Sequence, residues 1–211
     1  MSWLDSLEEI RNRDWSAASK EEREQKAHDV VMMSSYAGAV AALMPVPLAD
    51  LALLLPVHSV MVMTLGHVHG RPLSQTEARR VVLELGAVAG LSFVGTAAIS
   101  ALKRLVMPGL GGLLSASATF ALTWGLGRVA TAYFQNPELS REELQKLFEE
   151  AMREGKKHFS KEAFDRFRKE QKKDEPSREA KPAEEAKSES SRPSPPSTPP
   201  DPSVRPPKRT L

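Results

Sequence analysis

Residues 85–127 read LGAVAGLSFVGTAAISALKRLVMPGLGGLLSASATFALTWGLG, and the fold turns on how this stretch is read. Two uncharged runs, residues 85–102 and 105–127, flank the basic pair Lys103 and Arg104. Each approaches the roughly 20 apolar residues that a bilayer-spanning helix needs. Pro108-Gly109-Leu110-Gly111-Gly112 has the residue types of a tight turn between two closely apposed helices. Gly86 and Gly90 form a GxxxG step continued by Ala97 and Ala101, while Ser117, Ala121 and Gly125 form a second small-residue stripe. Two such faces are expected to pack backbone against backbone.

A soluble bundle with apolar central helices competes with a membrane-inserted hairpin, because small residues also serve close packing in a water-soluble core. Large aliphatic and aromatic side chains are sparse for a lipid-facing surface. The stretch 30–65 is interrupted by Pro45, Pro47, Asp50, Pro56 and His58. Both readings stay open at this stage.

Working outward, Ser6 with Glu9, Ser19 with Glu22, Ser74 with Glu77 and Ser140 with Glu143 have capping-box spacing and predict four helix starts. Pro45 and Pro47 stop the second helix, since proline lacks an amide donor and clashes with the preceding turn. Asp50 falls in the first turn of the next helix, where a carboxylate meets the positive end of the helix dipole. Leu144, Leu147, Phe148, Met152, Phe159, Ala163 and Phe167 trace an apolar stripe on a largely basic C-terminal helix. The organisation expected is a short amphipathic N-terminal arm over 1–18, an apolar helical-hairpin domain over 19–136, a basic amphipathic helix over 137–174 and a disordered Pro/Ser/charged tail over 175–211. The tail composition cannot bury enough apolar surface to offset chain entropy. The fold class expected is all-α, a compact bundle of helical hairpins with small-residue packing faces.

Charge and chemistry narrow the function. The 29 basic and 27 acidic residues give a net charge of +2, too balanced for a protein that coats nucleic acid, so no nucleic-acid partner is expected. The absence of cysteine removes disulfides, thiolate metal sites and thiol nucleophiles. Residues 1–10 carry acids where a secretory signal is basic and then apolar, so no cleavable export signal is expected. His58 and His69 share a helical face but stand about 16 Å apart at 1.5 Å per residue, too far for one ion. His67 and His69 point to opposite sides. Gly109 to Ser115 lacks the lysine and preceding strand of a phosphate loop. Hence no metal, no cofactor and no enzymatic activity are expected. Asp50 is read as a helix cap, with a functional polar site as its alternative.

Pro45-Val46-Pro47-Leu48-Ala49-Asp50, Met61-Val62, Leu65, Gly70 with Leu73-Ser74, Met107-Pro108-Gly109-Leu110-Gly111, and Gly127 with Tyr133-Phe134 form an ordered set. Over about residues 26–135 it resembles the bacterial YcjF-type domain of unknown function. The resemblance implies an all-helical, membrane-associated protein of a kind often fused behind Era-like small GTPase domains, and therefore a small GTPase acting in trans. His58 stands where many relatives have glutamine, and His69 where an aromatic is common. The function expected is a non-catalytic, membrane-associated helical adaptor on the cytoplasmic side of the bacterial inner membrane. Lys103, Arg104, Lys156 and Lys157 would contact the lipid surface. The alternative is a soluble cytoplasmic helical module for protein interaction or homo-oligomerisation.

Overall fold

The computed structural model describes residues 2–43, 49–88 and 111–174. Among these the protein is all-α: α1 (Trp3–Asn12), α2 (Lys20–Ala41), α3 (Ala49–Val68), α4 (Gln75–Val88), α5 (Gly111–Gln135), α6 (Arg141–His158) and α7 (Lys161–Asp174). Three of the four expected serines start their helices, Ser74 and Ser140 with full boxes and Ser19 as a one-way cap. The Ser19 hydroxyl accepts from Glu22 N at 3.1 Å, and Ser74 and Ser140 exchange reciprocal bonds with Glu77 and Glu143. The fourth start is corrected: α1 begins four residues earlier than Ser6, on a box between Ser2 and Asp5. Aspartate reaches back to the cap amide as glutamate does, at 2.9 Å here.

The long helices alternate in direction. Gly38 of α2 lies against Leu54 of α3 and against Thr119 and Thr123 of α5, whereas Val31 and Met61 meet at Gly127. So α2 runs antiparallel to both α3 and α5. α3 ends in a Schellman motif: Gly70 takes φ 72°, Arg71 N donates to Gly66 O at 2.7 Å, and Gly70 N donates to His67 O at 3.0 Å. This turn returns the chain as α4, which packs beside α3. The ends of α2 and α4 and the starts of α3 and α5 therefore share one end of the bundle.

α5 is the central element, in its most extensive contacts with α6 and α2. A methyl group at Gly127 would stand 2.7 Å from a Val31 methyl, so α2 and α5 touch through backbone. Ala121 and Gly125 of the second small-residue stripe lie against α6, where Gly155 presses on Ala121 and Trp124, and Phe148 fills the notch at Gly125. The other expected face continues from Gly86 through Gly90, Ala97 and Ala101, which lie outside the described residues. The fit to α6 rests on complementarity, since α6 brings both a matching glycine and a ring of the right size.

The expected single helix over 137–174 is two. Phe159 leaves the helix with an extended backbone, and the Ser160 hydroxyl accepts from Ala163 N at 3.2 Å to start α7. The apolar stripe continues across this break because Phe159, Ala163, Phe164 and Phe167 all pack on the core. The N-terminal arm is docked as well. Leu7 of α1 is fully buried, with Trp3 and Ile10 packed beside it, and Arg11 donates to Thr64 Oγ1 of α3 at 3.4 Å. The tail expected over 175–211 lies outside the described residues.

Two substitutions test these contacts by urea unfolding. Gly127→Ala is expected to destabilise the bundle by about 1–3 kcal/mol through overpacking. Gly70→Ala has open space around the new methyl, so it should cost only about 1 kcal/mol, from the left-handed backbone.

Candidate functional site

The buried polar centre of the bundle is His58, on the second turn of α3 after Pro56. Its side chain is fully buried, and its Nε2 stands 3.0 Å from the Thr123 hydroxyl of α5. Gly38 of α2 closes over this pair, since a methyl there would lie 2.8 Å from Thr123 Oγ1. His58 Nδ1 has no hydrogen-bond partner. Burial alone lowers the His58 pKa from 6.5 to about 4, so the ring is neutral near pH 7. Among the described residues no carboxylate orients the ring, and the one hydroxyl within its reach, that of Thr123, is itself fully buried. The arrangement can hold α3 against α5, and it lacks the base-and-orienter geometry of a catalytic histidine.

A second cluster joins the C-terminal helices to the bundle. Trp124 is fully buried, stacked on His158 at 4.7 Å and met edge-on by His28 at 5.2 Å. Tyr36 of α2 packs on Phe120 at 4.7 Å and on Phe167 of α7 at 5.8 Å, and Phe159 reaches Phe120 at 5.5 Å. Such pairs add about 0.5–1.5 kcal/mol each beyond their buried area. Among the described residues no group of three His, Cys, Asp or Glu could hold a metal ion.

Charge is segregated along the bundle axis. The first half of α2 carries Lys20, Glu21, Glu22, Arg23, Glu24, Lys26 and Asp29, and the first ten residues of α4 carry Glu77, Arg79, Arg80 and Glu84. From the shared end, residues 30–43, 51–66, 85–88 and 111–127 contain no Asp, Glu, Lys or Arg. Asp50, the second residue of α3, is the exception, and its side chain lies outside the described residues. No helix among the described residues is long and apolar enough to cross a membrane.

The residues singled out from the sequence fall in different places. Gly127 sits at the α2–α5 contact, Gly86 is buried in α4, and Gly111 is the first residue of α5. Lys156 and Lys157 are exposed in the last turn of α6. Pro45, Pro47, Gly90, Lys103, Arg104, Pro108 and Gly109 lie outside the described residues. Sequence reading missed Thr123, Gly38 and the His28–Trp124–His158 stack. Ser34 and Gly38 do stand at small-residue spacing on α2, and no local signal pairs residues 58 and 123.

The site and fold define a helical-bundle domain organised around buried packing. The family model described as Domain of unknown function (DUF697) matches residues 9–157, and the chain belongs to that family. It is similar to "Magnetosome membrane protein 22" of Magnetospirillum gryphiswaldense, at 27% identity over 143 residues, 64% of this chain and 72% of that protein. No solved structure matches the chain.

His58 makes stability depend on pH. The unfolded chain binds its proton near pH 6.5, and the folded protein does not until about pH 4, so stability is lost as pH falls through that window. The loss attributable to His58 is about 3 kcal/mol. His69, also lowered by burial and by Arg23 and Arg71, adds in the same direction. Urea midpoints measured between pH 7 and pH 4 should fall steeply in the wild type and less steeply in His58→Leu.

Proposed function

We propose that the protein is a non-catalytic, membrane-associated helical adaptor on the cytoplasmic side of the bacterial inner membrane, working with a small GTPase in trans. The observation that carries this reading is the charge-poor end of the bundle, where Asp50 is the one charged residue among the described helix ends. Four helix ends converge there, and the two segments that join them, residues 44–48 and 89–110, contain only Lys103 and Arg104 as charged residues. A charged end in water and an apolar end in lipid is the arrangement with the lowest transfer cost for such a polarity. The similarity to a protein named as a magnetosome membrane protein supports the same reading.

The adaptor role follows from what the helices offer chemically: packed surfaces, and a buried histidine paired with a hydroxyl. The GTPase is motivated by the resemblance to the YcjF-type domain. Homo-oligomerisation of a soluble module, the other reading of the sequence, would need surfaces other than Gly38, Gly125, Gly127 and Gly155, because side chains of the same chain already fill those faces.

Membranes from cells making the full chain, washed with alkaline carbonate, should retain it in the pellet. Complete recovery in the supernatant would overturn membrane association. Affinity capture from GTP-loaded and GDP-loaded lysates should enrich a small GTPase in one nucleotide state, and equal recovery in both removes the GTPase from the proposal.

A further inference from the structure

We infer that the basic turn joining α6 to α7 is a docking collar for an anionic phospholipid bilayer, formed by Lys156, Lys157, Lys161, Arg166, Arg168 and Lys169. The inference deepens the membrane reading and rests on it. Its first support is a reversal of charge along the C-terminal helices. Residues 138–150 carry two cations against five carboxylates, whereas residues 153–170 carry seven cations against four. Lys156 and Lys157 complement the negative end of the α6 dipole, but that effect reaches only the last turn. Arg166, Arg168 and Lys169 lie inside α7 and need another reason. Lys161 pairs with Asp165 at 3.2 Å. Lys156, Lys157, Arg166, Arg168 and Lys169 are exposed, and none forms an ion pair with a described residue.

The second support is position. Gly155 lies against Ala121 and Trp124, and Phe159 packs on Phe120 and Tyr36. The turn therefore sits level with Phe120, nine residues into α5 and about 14 Å from its first residue along the axis. The hydrocarbon of one leaflet is about 15 Å deep. The charge-poor end, buried to that depth with Asp50 in the first turn of α3, brings the collar to the headgroups, where each lysine or arginine gains from a negatively charged surface. The aromatic block of Tyr36, Phe120, Phe159 and Phe167 fixes the turn at this height.

The test uses the full-length chain in flotation with vesicles of phosphatidylcholine alone and of phosphatidylcholine doped with phosphatidylglycerol. The wild type should bind the doped vesicles more tightly, and Lys156→Gln with Lys157→Gln should weaken that binding about 30-fold, roughly fivefold per cation, with little change on phosphatidylcholine. Lys156→Arg with Lys157→Arg should restore it. Raising the salt from 0.1 M to 1 M, which shortens the screening length from about 10 Å to about 3 Å, should abolish the preference. Equal wild-type binding to both vesicle types overturns the collar while membrane association stands. Binding to neither overturns both readings, and unchanged binding by the glutamine variant overturns the assignment of these lysines.

Discussion

The structure depends on α5 approaching its neighbours without intervening side chains. Gly127 lets Val31 of α2 sit on the α5 backbone, and on another face Gly155 of α6 lets Trp124 and Ala121 do the same in reverse. Each approach brings the flanking residues within full van der Waals contact, and those contacts sum along the helices to far more than the glycines cost in chain entropy. Because α5 touches α2, α3 and α6, a shift of its axis would disturb each of these interfaces. The aromatic residues Phe120, Trp124 and Phe134, all buried, then set how far apart the helices stand.

Several of the polar groups in this core are satisfied by local geometry, although Ser34 Oγ and Trp124 Nε1 are buried without a hydrogen-bond partner. Thr131 and Ser35 return their hydroxyls to carbonyls one turn back, which satisfies them without a partner helix. Thr123 instead meets His58 across the α3–α5 interface. That cross-helix bond specifies the register of α3 on α5, since sliding either helix by one residue would leave both groups unpaired in an apolar medium. The same burial that makes the bond specific keeps the ring neutral and makes the fold sensitive to acid.

The proposed function rests on the distribution of charge along the helices. Charged residues gather at one end of α2 and α4 and in the α6–α7 turn, while the shared end of four helices carries none beyond Asp50. A charge distribution polarised in this way underlies the proposed placement at a boundary between water and lipid. Membership of the DUF697 family extends over nearly all of the helices that build this polarity, from α1 to α6.

Helix identity and most helix starts were legible from the chain itself, because the serine caps at Ser19, Ser74 and Ser140 act through bonds within four residues. The all-α class followed from the same local signals, and so did the apolar face of α6. Local information could not name α6 as the neighbour of Ala121 and Gly125, because the fit of Phe148 into the notch at Gly125 joins residues on different helices. Nor could it join His58 to Thr123, 65 residues apart, or break the C-terminal helix at Phe159, where an unbroken apolar stripe hid the serine cap. Those outcomes depend on which surfaces fit at close range, and fit is a property of pairs of helices that no single helix encodes.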